Sequence, residues 1–181
     1  MARIPFPNPD DPAVCTLARQ IIDERGELLD LYRALLSSPP FAEGWLRLMT
    51  AVRQRSSLPG AMRELIILRV AVINGATYEA EQHRDIALAN GVSAQQINAL
   101  GQWAAYPDLF SERERAVLAL TDQMTIDIRV DDEVWGAVSR HWSTRETVEL
   151  VATVASYNMV SRFLEALEIR PHASTAGTPY A

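Results

Sequence analysis

The run from Leu65 to Ile73, LIILRVAVI, constrains this chain more than any other stretch. A helix that is apolar on every side must be enclosed by other elements, so it belongs to a core. Apolar runs here reach nine or ten residues at most and are broken by Arg69 or by polar residues. None approaches the roughly 20 residues of a bilayer span, so a membrane partner is not expected. The charges around the run need a reason. Glu64 precedes it, Arg69 interrupts it, and a turn at Asn74-Gly75 leads to Glu79, Glu81 and His83.

The remainder reads as helix after helix, with no sustained two-residue alternation that would indicate a strand. Residues 1–12, with four prolines, form an extended N-terminal arm that does not resemble a secretory signal. A helix over 13–36 follows, weakened at Gly26 and ended by Pro39-Pro40. Helices are expected over 41–55 and from Pro59 to Ile73. The next is capped by Thr77 and stops at Asn90-Gly91. "SAQQ" from Ser93, "SERE" from Ser111 and "STRE" from Ser143 have capping-box spacing. They start helices near 94–104, 112–126 and 144–168, with a short helix over 132–141 between the last two. The expected organisation is one all-α domain over 13–170 and a flexible tail over 171–181.

The helix near 144–168 carries apolar residues on two sides. Val148, Val151, Ala152, Ala155, Met159 and Phe163 form one stripe, and Leu150, Val154, Tyr157 and Leu164 another. Such a helix is either central or shared between copies, which favours a homo-oligomer.

Composition narrows the function. A formal charge of -6 without a basic run argues against nucleic acid. All 17 basic residues are arginine, which excludes a Schiff-base lysine. Cys15 is the single cysteine, so an intrachain disulfide, a dithiol couple and a thiolate metal cage are all ruled out. A reducing, cytoplasmic setting fits. Glycine-rich phosphate loops and the G-x-S-x-G elbow are absent. The four tryptophans are scattered, as core or interface residues would be.

Glu79 and His83 are four residues apart and share one helical stripe, continued by Ile86 and Ala87. A tight turn at 74–77 would bring Glu64 back toward His83. Imidazole beside carboxylates is the usual means of moving protons near neutral pH. Structural readings compete. Glu79 lies in a first turn, where the helix dipole favours a carboxylate, and a histidine on a partly apolar face is often a hydrogen-bonded core residue. Glu64, Glu79 and His83 could also be read as metal ligands, but no H-E-x-x-H spacing supports that, and no metal is expected.

From about Leu58 to Leu100, "LPGAMRELIILRVAVINGATYEAEQHRDIALANGVS" resembles the carboxymuconolactone decarboxylase and alkylhydroperoxidase D superfamily. "SERERAVLALTDQMT" and "TVELVATVASYNMVSRFLEAL" are similar to the second half of its longer decarboxylase-like members. The resemblance covers most of residues 40–168 and implies an all-α, multi-helix bundle assembled as trimers or hexamers. Peroxidase members use a glutamate, a C-x-x-C pair and a histidine four residues beyond the second cysteine. Glu64 and His83 take the glutamate and histidine positions. Ala76 and Glu79 stand where the cysteines would be, and Tyr78 where those members place a further histidine. Thiol peroxidase chemistry needs an attacking thiolate and a resolving thiol, so it is disfavoured here.

The resemblance to the cysteine-free branch implies a cofactor-free decarboxylation, or a related reaction, of a small carboxylated or lactone-like metabolite. In that reading His83 donates or accepts the proton, Glu64 orients it or relays protons, and Glu79 joins them. Arg69 anchors the anionic substrate if it faces the cleft, and Tyr78 and Tyr157 donate hydrogen bonds. The alternative is a non-catalytic binding or assembly protein on the same scaffold.

Overall fold

The computed structural model describes residues 2–170; the expected C-terminal tail lies outside the described residues. All regular structure among them is helical: α1 (Cys15–Arg25), α2 (Asp30–Leu35), α3 (Pro39–Gln54), α4 (Gly60–Asn74), α5 (Thr77–Ala89), α6 (Ala94–Ala99), α7 (Glu112–Ile126), α8 (Asp132–His141) and α9 (Thr144–Ala166). Short 3-10 segments at Leu100–Ala105 and Pro107–Leu109 join α6 to α7. No described helix is long and apolar enough to cross a membrane.

The chain forms two compact units. One contains the described residues up to Gln54 together with those from Phe163 onward; the other is Arg55–Arg162. In the first, Ala18, Ile21, Tyr32, Leu35, Ala42, Trp45 and Leu46 are buried. Trp45 meets Phe163 with ring centroids 5.2 Å apart. Arg25 is buried among them, yet Tyr32 Oη, Thr50 Oγ1 and the Leu46 carbonyl accept its hydrogen bonds. The proline-rich arm is tied down, with Arg3 N donating to Leu167 O at 2.9 Å.

In the second unit, α4 is the axis that its sequence requires. Leu65, Ile66, Ile67, Leu68, Val70 and Ala71 are all at most 2% exposed, with α5 and α7 packed against the helix. Each large side chain so buried contributes about 1.5–3 kcal/mol. Leu65 and Leu68 join Ala87, Val92, Leu100, Phe110 and Leu118 in one apolar cluster.

All three capping boxes form. The Ser93 and Ser111 hydroxyls accept from the N–H groups of Gln96 and Glu114, and Ser143 does the same with Glu146. Four boundaries differ from expectation, the first being that Pro39 and Pro40 open α3 rather than ending the helix before it. Gly26 adopts φ +84, which ends α1, and α2 starts afresh at Asp30. Left-handed backbone at that position terminates a helix rather than weakening it. Thr77 is the first residue of α5, not its cap; Ala76 occupies the cap position with no side-chain bond. The helix expected to reach 104 stops at Ala99 and continues as 3-10, with Gln102 at a non-helical φ of -136, and Arg69 donates to the carbonyls of Leu100 at 2.7 Å and Gly101 at 3.4 Å there.

The two stripes of α9 have different fates. Leu150, Val154, Tyr157, Ser161 and Leu164 are buried, while Val148 is 63% exposed and Ala155 is also exposed. Val151, Ala152 and Met159 are half-buried.

Candidate functional site

The turn between α4 and α5 sets the site. Gly75 takes φ +66, and the N–H groups of Gly75 and Ala76 donate back to Val72 O and Ala71 O. The helix ends in a left-handed cap and the chain reverses at once. α5 then packs along α4.

This brings together the residues that the sequence singled out. His83 Nδ1 lies 2.7 Å from Glu64 Oε2, and the side chains are 8% and 1% exposed. A carboxylate can only accept, so Nδ1–H donates to it and Nε2 is the nitrogen that gains or loses a proton. The geometry is that of a carboxylate orienting an imidazole, and the carboxylate also stabilises the imidazolium that forms when Nε2 is protonated. Arg63 Nε donates to the other oxygen of Glu64 at 3.3 Å, placing a half-buried guanidinium against the pair.

Helix α9 closes the other side. Tyr157, 1% exposed, meets the His83 ring edge-on with centroids 5.4 Å apart. One turn further along, Ser161 Oγ donates to Glu79 Oε2 at 2.6 Å. Glu79 and Ser161 are 3% and 0% exposed. Two side chains a turn apart on α5 therefore face two a turn apart on α9, giving His83 against Tyr157 and Glu79 against Ser161. Glu64, Glu79, His83 and Tyr157 share one buried region. Tyr78, a half-buried neighbour of Glu79 in the chain, is on the first turn of the same helix.

Arg69 has different work from the anion anchor expected of it. Its Nε and Nη2 grip Asp122 Oδ1 and Oδ2 at 2.5 and 2.9 Å, and Nη1 donates to Leu100 O. Trp103 Nε1 also donates to Asp122 at 2.9 Å. The guanidinium is consumed in joining α4 to α7 and to the 3-10 segment. Among the described residues, no group of three histidine, cysteine or acidic side chains is placed to hold a metal ion.

Two contributors escaped the sequence reading. Neither Arg63 nor Ser161 was singled out there. Ser161 had a legible signal, since it follows Tyr157 by four residues on the stripe of Leu150, Val154 and Leu164. Elsewhere, an open groove of about 540 Å³ runs beside α7 and α8, with Trp103, Arg115, Arg140 and His141 in its walls. Trp142 packs beneath Arg113, whose guanidinium lies 3.6 Å from the ring centroid.

Residues 39–123 match the carboxymuconolactone decarboxylase family. The uncharacterised protein YdfG of Bacillus subtilis is 31% identical over 116 residues, 63% of this chain and 78% of that protein. ATU0492 of Agrobacterium tumefaciens, a protein of unknown function named as a candidate antioxidant defence protein AhpD, superposes with a TM-score of 0.72 at 25% identity; the match covers 78% of this chain and 97% of that one. The debrominase Bmp8, solved as a cysteine-to-alanine variant in complex with 2,3,4-tribromopyrrole, gives a TM-score of 0.77 at 20% identity. That match covers 94% of this chain and 91% of Bmp8, and at such identity it speaks for the fold alone. On its all-helical fold and these matches, the chain belongs to the carboxymuconolactone decarboxylase family, within the alkylhydroperoxidase D-like superfamily.

Proposed function

We propose that this protein is a cofactor-free acid/base enzyme acting on a small carboxylated or lactone-like metabolite, with carboxymuconolactone-type decarboxylation as its reaction. The observation that carries the reading is the 2.7 Å contact between Glu64 and His83, both withdrawn from water.

In the reaction, the bond between carbon and the departing carboxylate breaks, and its electron pair passes into the unsaturated lactone as a dienolate. Protonated His83 then delivers a proton from Nε2 to carbon and regains one from solvent. Glu64 stabilises the imidazolium before transfer and keeps Nε2 as the working nitrogen. Arg63 replaces Arg69 as the candidate anion anchor, because it already touches Glu64 and a guanidinium has further N–H groups for a carboxylate or enolate oxygen. Glu79, a turn from His83, is the second proton-handling group. Low exposure favours such electrostatic work, since charges interact more strongly where water is excluded.

Thiol peroxidase chemistry finds no support. The chain has one cysteine, and Cys15 opens α1 in the other unit. Replacing Cys15 with serine is expected to leave activity unchanged. The exposed Val148 and Ala155 stripe supports a homo-oligomer, with trimers or hexamers as the expected states.

The test is purified protein with 4-carboxymuconolactone, following carbon dioxide release and thermal stability together. Release at a rate proportional to protein supports the enzyme. Stabilisation by the lactone without release would transfer the assignment to a binding protein.

A further inference from the structure

The second carboxylate of the site rests on a residue to which no role has been given. Ser161 lies on α9, fully enclosed, and its hydroxyl donates to Glu79 Oε2 at 2.6 Å. A buried serine in a helix can satisfy its hydroxyl locally, by donating to the carbonyl four residues earlier. Thr121 and Thr153 do so, at 2.8 Å to Val117 O and 2.7 Å to Glu149 O. Ser161 instead reaches across to α5.

We propose that Ser161 is a positioning residue of the active site: its hydroxyl holds Glu79 as an ionised acceptor and fixes the carboxylate one turn from His83. The proposal rests on the acid/base reading given above, and it adds a division of labour. A short hydroxyl hydrogen bond favours the charged form of a carboxylate, which burial disfavours, and only that form can accept a proton. His83, backed by Glu64, is equipped to give one. The site would then hold a base and an acid on a single helical stripe, each oriented by a partner from another helix. Groups that face this region are His83 on α5, Glu64 and Arg63 on α4, and Tyr157 on α9. Ser161 supplies a hydroxyl within hydrogen-bond distance of Glu79 Oε2.

The test reads Glu79 itself, so it does not depend on the identity of the substrate. Full-length protein is labelled with carbon-13 at the glutamate side-chain carboxyls, and Glu79→Gln identifies the Glu79 resonance. In Ser161→Ala the titration midpoint of Glu79 is expected to rise, with a fall of about tenfold in its acid dissociation constant. Ser161→Thr, which keeps the hydroxyl, is expected to restore the midpoint. Should the added methyl prevent folding, Ser161→Cys, a weak donor of similar shape, is expected to fall between wild type and alanine. An unmoved midpoint in Ser161→Ala overturns the proposal. If 4-carboxymuconolactone is turned over, the low-pH limb of kcat should shift upward with the midpoint while KM changes little. A shifted midpoint in a protein that releases no carbon dioxide would uphold the role of Ser161 and end the decarboxylase reading.

Discussion

Replacing Asp122 with alanine tests whether Arg69 is structural. The change removes both oxygens that grip Arg69, at 2.5 and 2.9 Å, and the acceptor of Trp103 Nε1. Breaking a fully buried ion pair from one side costs about 3–5 kcal/mol, because the surviving charge is left without its partner. The side chains of Arg69 and Asp122 are 11% and 23% exposed, so water can reach the orphaned guanidinium in part. Arg69 also keeps its bond to Leu100 O. The lower end, about 3 kcal/mol, is therefore expected. For a chain of this length that lowers Tm by about 6–12 °C. Calorimetry of Asp122→Ala measures it, with Asp122→Asn expected at roughly half the loss because one acceptor oxygen remains. The activity of the folded fraction should be preserved. A Tm within about 2 °C of wild type, or a large rise in KM without loss of stability, would refute the structural assignment and return Arg69 to substrate binding.

Other consequences can be measured in the same way. Gly75→Ala forces a side chain onto φ +66 and should cost about 1 kcal/mol, whereas Gly44→Ala, within α3 and with no atom near its Cβ position, should stabilise by a few tenths to about 1 kcal/mol in thermal melts. Burial pushes the Glu149 carboxyl up, but hydrogen bonds from the Ser57 hydroxyl, Arg145, the Ser57 N–H and Ser56 outweigh it and hold the pKa at about 2. Because that value lies below the usual carboxylate value of 4.5, the stabilisation is complete above 4.5 and is lost as the pH falls toward 2. Ser57→Ala should therefore lower Tm at neutral pH and converge with wild type at about pH 2. Val148→Arg on the exposed stripe of α9 should shift the protein toward the monomer in sedimentation, and an unchanged mass would remove that stripe from the interface.

What could be read from the sequence was what depends on neighbours in the chain. The capping boxes at Ser93, Ser111 and Ser143 use residues three apart, and all three form. The enclosure of α4 follows from its lack of a polar side. The Glu64 and His83 contact was legible as well, because a two-residue link at Gly75-Ala76 leaves α5 little choice but to return along α4. Partners supplied from afar were not legible. Asp122 is 53 residues from Arg69, and nothing in the local pattern separates it from any other acid on a helix. The same distant arginine meets the chain where the helix near residue 100 ends, and that boundary was hidden too. Ser161 is 82 residues from Glu79 and was visible only as a small polar residue on a stripe that must be buried.

The central claim is that an acid-backed imidazole carries the proton as a unit, and a double-variant cycle measures this most directly. The rate of carbon dioxide release is compared among wild type, Glu64→Gln, His83→Gln and the variant carrying both. Residues that act as one unit lose nearly all of their effect with the first change. The expected result is a fall of about 100-fold or more in His83→Gln, with little further loss when Glu64→Gln is added. Wild-type rates in His83→Gln, or losses that simply multiply in the double variant, would contradict the account.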